Sequence, residues 1–317
     1  GVVWRPQRYG RHGPAGGLGR VLRAARAVRG SSVVHARSDM AAASVMLAGL
    51  DCWVWDVRSL WADQKVATGV MRDGSPQERL MRWVERQAAH RSTAVITLTG
   101  SAIDELDRRY GGVVSTKARV VTTCTDLDRF TLSVLPPTPP RVLLAGTLNR
   151  YYDVQSMLDL VVEMRRRRPV QFIVASPGDT DWEDELAGMD VLRVSATRDE
   201  MAKLVSSCHV GLSVCRDDAG PSLQAAMPTK IGEFLASGRP VVVNPGLVDA
   251  AGLVERSDCG VVYGRSSSIG ITEAVDRLES LLADPDLPGR CRSLAEEHFD
   301  LDRGVDRLLA VYGELGS

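Results

Sequence analysis

Lys230 and Glu233 are the residues best placed for chemistry, in the stretch Pro228-Thr-Lys-Ile-Gly-Glu-Phe-Leu-Ala-Ser-Gly-Arg-Pro240. The stretch predicts one short helix, closed by Gly238 and Pro240, that feeds a buried strand at residues 241–243. Ile231, Phe234 and Leu235 fall at i, i+3 and i+4 and share an apolar face, while Lys230, Glu233 and Ser237 share another. A helix N-terminus with Lys230 close by is a ready phosphate site, because its first N–H groups have no partner within the helix. Glu233, one turn further in, can accept hydrogen bonds from a neutral polyol such as a ribose. The competing reading is an amphipathic surface helix with an i, i+3 ion pair worth about 0.2–0.5 kcal/mol.

Other polar groups gather after apolar runs. Gly146-Thr-Leu-Asn149-Arg150 follows residues 142–145, Cys215-Arg-Asp-Asp-Ala-Gly220 leads through Pro221 into Ser222, and Asn244-Pro-Gly246 follows residues 241–243. In a parallel sheet such strand ends converge on one crevice. Gly146, Arg150, Gly220, Ser222 and Lys230 can offer backbone N–H groups and cations to a phosphorylated ligand, whereas Asp217 and Asp218 oppose a phosphate in their own loop. Ordinary turn chemistry also accounts for Gly146 and Gly220, and solvated surface positions for Arg150 and Arg216. His35 ends another apolar run and reads equally as a site residue or as a satisfied core histidine. Asp56, Arg58 and Asp63 form a further cluster, suited to polyol hydroxyls or to an internal Asp–Arg ion pair.

The elements that must carry these residues alternate. Strands are expected at residues 32–37, 53–55, 94–98 and 119–121, with helices over 18–28, 40–47 and 76–90, the last with Leu80, Val84 and Ala88 in register. A further helix opens at Ser101 to Asp104, which also offers its N-cap. Residues 131–140 hold four prolines and read as the linker. The alternation then restarts, with strands at 142–145, 170–174, 191–194, 210–214 and 241–243. Helices follow at 154–164, 198–206, 246–255 and 269–282, with a helical tail at 302–315. This is the pattern of parallel sheets covered by helices on both faces.

A chain of 317 residues suits two domains. With 44% hydrophobic and 25% charged residues and a net charge of -1, no bulk attraction to nucleic acid or to a membrane surface is expected. The six cysteines show no CxxC and no Cys/His metal spacing, so free buried thiols are expected and no metal site. No run of 18 apolar residues and no leader pattern is present, which fits a soluble cytoplasmic protein. Neither GxGxxG, Walker A, HExxH nor GxSxG occurs.

The Pro228–Pro240 stretch resembles the donor-binding helix of GT-B glycosyltransferases, particularly the retaining group called family 4. Other pieces agree in order: Val33-Val-His-Ala-Arg37 with an acceptor-domain strand, and Asp56-Val-Arg-Ser-Leu-Trp61-Ala-Asp63 with a D-x-R-G-x-W segment. Asp126-Leu-Asp-Arg-Phe130 is similar to the close of the first domain, and residues 299–312 to a final helix that returns to it. The resemblance implies two doubly wound Rossmann-like α/β domains facing across a cleft. They would be an acceptor-side domain over residues 1–133, a nucleotide-sugar domain over 134–298, and a returning helix over 299–317. It implies transfer of a sugar from a UDP-, GDP- or ADP-sugar to a sugar, lipid-linked or small-molecule acceptor, with retention and without an essential metal or other cofactor. Glu233 would hold the ribose, Lys230 and Arg150 would face the diphosphate, and Gly146, Asn149, Gly220, Ser222 and Thr229 would complete the donor site. His35 would sit on the acceptor side. A cytoplasmic location leaves room for weak association with the inner membrane face.

Three departures stand out, one being that the Arg/Lys pair common after the first strand of the family's donor domain is reduced to Arg150 alone. The family's second glutamate, eight residues before Glu233, is here Ala225 beside Gln224, which keeps open a non-catalytic homologue that binds a nucleotide-sugar or a protein. A nucleotide-sugar epimerase on the same fold is a third reading. The chain opens at Gly1 rather than Met, and nothing before Val33 reads as the family's first βα unit. The first domain therefore reads as incomplete, and about 50–60 residues, one to two such units, are expected upstream.

Overall fold

Among the described residues ten short runs form strands: β1 (Val34–Arg37), β2 (Trp53–Val57), β3 (Ala94–Thr97), β4 (Ala118–Val120), β5 (Arg141–Ala145), β6 (Gln171–Ala175), β7 (Val191–Val194), β8 (Val210–Ser213), β9 (Val241–Val243) and β10 (Gly260–Val262). The computed structural model describes residues 13–137, 139–178 and 182–315. The chain divides into two units, residues 1–121 with 307–317, and residues 122–306.

In the first unit the sheet order is β1-β2-β3-β4, with every pairing parallel. β2 and β3 are buried along their whole length, as strands covered on both faces must be. Val54, Ala94, Ile96 and Val121 form a core with Val311 of the Leu301–Leu315 helix, and Leu308, Tyr312 and Leu315 pack against it. The tail thus returns to the first sheet. The basic helix expected from residue 18 begins at Pro14 and runs to Val28; residues 1–12, with Pro6, lie outside the described residues. Two local expectations change. Thr99, not Ser101, caps the Gly100–Tyr110 helix by accepting the N–H of Ala102 at 3.2 Å. In the Pro76–Arg91 helix the buried face is Met81, Val84, Glu85 and Ala88, while Leu80 is 53% exposed. Glu85 can be buried because the Tyr110 hydroxyl and Arg109 donate to it, at 2.6 and 3.1 Å.

The second unit's sheet order is β10-β9-β8-β5-β6-β7, again all parallel. Counted within the unit this is the 3-2-1-4-5-6 order read from the other edge, a doubly wound sheet whose winding reverses between β5 and β8, where ligands bind. Sequence patterning omits β10, a three-residue run opened by a glycine, and also the Leu287–His298 helix.

The units divide at Val121/Thr122, ahead of the proline-rich run, and again at Asp306/Arg307. Residues 122–134 have little regular structure but are fastened to the second unit. Phe130 is buried, Arg292 donates to its carbonyl at 2.9 Å, and the buried Arg239 donates to the carbonyls of Ser133 and Val134 at 2.8 and 2.9 Å. Prolines mark where ladders stop; they do not mark where packing stops. Among the described residues no helix is long and apolar enough to cross a membrane.

Candidate active site

The Thr229–Ala236 helix is fixed by two glycines that let neighbours close in. Gly211 of β8 receives the Phe234 ring, and a Cβ there would stand 2.2 Å from it. Gly232 admits Thr125 and Phe299, which a Cβ would meet at 2.5 and 3.0 Å. With Ile231, Phe234 and Leu235 buried at 1% exposure or less, the expected apolar face is the one that packs. Lys230 and Glu233 are left to face a cavity of about 660 Å³ that lies within the second unit. No side chain caps the helix and its first turn holds no acidic residue, so its leading N–H groups stay open to a ligand.

Lys230 is buried, 9% exposed, and its Nζ has no hydrogen-bond partner. It lies 4.2 Å from the centroid of the Tyr152 ring, and 3.5 Å from where a Cβ on Gly146 would stand. Gly146 has φ +114°, a backbone that L side chains rarely adopt, so glycine is required there by conformation. The Lys230–Glu233 ion pair of the surface-helix reading is not formed. Burial pushes the Glu233 carboxyl above its ordinary range, while Arg129, Lys230 and Arg198 pull the other way. Arg129 and Arg198 both line the cavity; Arg129 pairs with Asp126 at 3.5 Å and lies over the Phe130 ring.

The β5 loop is stitched to the continuation of β8. The Asn149 side chain accepts the Tyr151 N–H at 2.9 Å and its carbonyl accepts that of Tyr152 at 3.1 Å. Asp153 then donates to Val214, and Arg216 to Tyr151. Asn149 therefore shapes the turn. Arg150 is exposed and outside the cavity lining, although its carbonyl accepts from Arg216. Gly220 and Ser222 lie in the Asp217–Leu223 turn, also outside the lining. Ser222 is 1% exposed, donates to the Ala219 carbonyl at 2.7 Å and meets the Tyr151 hydroxyl at 3.2 Å. The Asp217 and Asn244 loops join each other: Asn244 donates to Asp217 and accepts the Cys215 N–H, each at 2.9 Å. Of the residues expected at the donor site, Gly146, Thr229, Lys230 and Glu233 come together. Ala225 is fully buried and outside the cavity lining.

Sequence reasoning missed Tyr152, Arg129 and Arg198 as cavity residues. Arg129 lay in plain view inside the Asp126–Phe130 motif; Arg198 opens the helix after β7, which places it at a strand end; for Tyr152 no signal beyond proximity to Gly146 was available.

In the first unit, His35 has both ring nitrogens engaged, one with Asp56 at 3.0 Å and one with the Tyr312 hydroxyl at 2.8 Å. Arg58 binds the same Asp56 at 2.8 Å. Asp63 does not join this group. Arg82 and Arg109 each donate twice to it, at 2.8–3.1 Å. Burial opposes its ionisation, but these two arginines outweigh it and hold the carboxyl below the usual range.

Residues 139–283 match the model of the family described as "Glycosyl transferases group 1". The chain is 25% identical over 262 residues to an alpha-D-kanosaminyltransferase of Streptomyces kanamyceticus, across 75% of this chain and 64% of that protein's length. Among solved structures it resembles Anabaena HepE in complex with UDP and glucose, with TM-score 0.69 and 15% identity over 96% of this chain and 83% of that one. It also resembles the sucrose-phosphate synthase of Thermosynechococcus elongatus, with TM-score 0.70 and 17% identity over 95% and 78%. The chain has the GT-B fold, and the part that matches the group 1 glycosyltransferase model lies in its second unit.

Proposed function

We propose that the protein is a glycosyltransferase that takes a sugar from a nucleoside diphosphate donor bound in the second unit and passes it, with retention, to an acceptor hydroxyl. The observation that carries this reading is Lys230, a buried ammonium without a hydrogen-bond partner, beside the open N-terminus of its helix and across from the bare backbone of Gly146. Such a cation lacks an anion, and a diphosphate supplies one. Glu233, next in the cavity, accepts hydrogen bonds from ribose hydroxyls. As the glycosidic bond to the diphosphate breaks, negative charge grows on the departing oxygen, and Lys230 with the helix N–H groups stabilises it without reorganisation. HepE, solved with UDP and with UDP-glucose, supports the donor class. Arg129 and Arg198, rather than the exposed Arg150, are the further cations of this cavity. On the acceptor side we assign His35, its ring held by Asp56 and Tyr312. The acceptor is a sugar, a lipid-linked sugar or a small metabolite, met in the cytoplasm or weakly at its membrane face.

Ala225 favours a second reading, a non-catalytic protein that binds a nucleotide-sugar, because its buried position leaves the family's donor-sugar carboxylate without a substitute there. A panel of UDP-, GDP- and ADP-sugars, followed by nucleotide release with wild type and Glu233→Ala, separates the two. Turnover that the variant loses supports transfer, and tight binding without turnover supports the second reading. Absence of nucleoside diphosphate binding in the wild type sinks both.

A further inference from the structure

We infer that Tyr152 is a positioning residue for Lys230: its ring face holds the ammonium in the cavity without neutralising it. A buried lysine ordinarily acquires a carboxylate, and here that would cancel the charge a phosphate needs. Lys230 instead lies 4.2 Å from the Tyr152 ring centroid with no hydrogen-bond partner. A ring face attracts a cation through its quadrupole and carries no net charge, so the ammonium stays available to an incoming anion.

The backbone around Tyr152 is built to fix that ring. Its N–H donates to Asn149, it bridges Cys215 in antiparallel fashion, and its two neighbours bond to Val214 and Arg216. These ties span the point between β5 and β8 where the sheet winding reverses. The ring therefore rests on a clamped four-residue turn. Gly146 lies against the same ammonium, its Cβ position 3.5 Å from Nζ.

The inference rests on the nucleoside diphosphate reading of the cavity, and the experiment distinguishes the two. UDP and uridine binding are measured by calorimetry for wild type, Lys230→Met, Tyr152→Leu, Tyr152→Phe and the Lys230→Met/Tyr152→Leu double variant. Tyr152→Leu is expected to weaken UDP about 3- to 30-fold, the range for a desolvated cation–ring contact, and to leave uridine unchanged. Tyr152→Phe is expected to bind UDP within about twofold of wild type, since the ring face is kept. In the double variant the leucine is expected to add nothing to the loss from Lys230→Met, because a positioning residue acts through its partner. Phenylalanines of increasing ring fluorination at position 152 keep the shape and weaken the quadrupole, so UDP affinity should fall stepwise even if Tyr152→Leu does not fold. Flat affinity across that series, or additive losses in the double variant, overturns the proposal for Tyr152 while leaving the cavity reading intact. UDP affinity untouched by Lys230→Met overturns both.

Discussion

Replacing Lys230 with methionine should move stability and ligand binding in opposite directions. Methionine keeps an unbranched side chain, one atom shorter, and removes the ammonium with its charge and its donors. A buried charged donor without a partner costs at least about 1–3 kcal/mol, and a ring contact returns about 0.5–2 kcal/mol of it. With Lys230 9% exposed and only the Tyr152 ring for company, the ligand-free protein should gain on the order of 1 kcal/mol from Lys230→Met. For a unit of this size that is about 2–4 °C in Tm. The same change removes a charge-assisted contact to phosphate worth about 1.5–3 kcal/mol, so UDP should bind about 10- to 150-fold more weakly. Thermal melts with and without saturating UDP read both effects on one sample. The variant should melt higher than wild type when free, and its ligand-induced shift should shrink or vanish. A variant that melts lower when free and binds UDP normally would mean that the ammonium is an internal structural cation, and the reasoning from its missing partner would fail.

Gly146→Ala places a Cβ at φ +114° and 3.5 Å from the Lys230 Nζ, so it should cost about 1–3 kcal/mol of stability and weaken UDP binding, both readable by melts. Asp39 is pushed up to about 8 by burial, with the carboxylates of Glu85 and Asp63 adding to the shift and the Trp55 indole opposing it. The folded state therefore holds a proton that the unfolded chain releases near pH 4. Stability should fall by up to about 1.4 kcal/mol per pH unit as pH rises toward 8, and Asp39→Asn should flatten that slope in urea titrations between pH 5 and 8. An unchanged slope would remove Asp39 as its source. Glu233 is raised in the same sense by burial, so its ionised form destabilises the free protein. Glu233→Gln should melt higher than wild type at pH 8, show no difference at pH 4, and bind UDP more weakly; equal melting at pH 8 would show that burial does not strain this carboxyl.

The apolar skeleton was legible because buried parallel strands write themselves as continuous apolar runs, and the Ile231, Phe234, Leu235 face packs as its spacing dictates. What failed was local and explicable. Leu80 is in helical register with Val84, but the register shared by Met81, Val84 and Ala88 is the buried one, and a glutamate belongs to it because Tyr110 and Arg109 satisfy it from distant positions. β10 is too short to show a period, and the Thr131–Pro140 run hid a segment tied down by Arg239 and Arg292, whose partners are backbone carbonyls that no pattern advertises. The site was half legible. Lys230 and Glu233 follow from helix geometry, and Gly146 from its strand end. The exclusion of Arg150, Gly220 and Ser222 from the cavity follows from how the turns fold back, which depends on long-range hydrogen bonds such as that between Ser222 and Tyr151.

The treatment of buried charge separates the two units and carries the functional argument furthest. In the first unit each deeply buried ion has company: Asp63 lies between Arg82 and Arg109, Glu105 accepts from Arg108 and Arg109, and Glu85 accepts from Tyr110. Asp39 is no exception, since at neutral pH it is held protonated. In the second unit Arg239 is fully buried yet donates to four backbone carbonyls, and burial draws it down to about 10. Lys230 alone among the four lysines has a buried ammonium with no hydrogen-bond acceptor. The buried ions named above all have partners, whereas Lys230, with a carboxylate one helical turn away in Glu233, is left to a ring face. Folding alone gives no reason for that. A ligand that brings its own negative charge does, and the bare backbone of Gly146 and the open helix N-terminus are arranged around the place where that charge would sit.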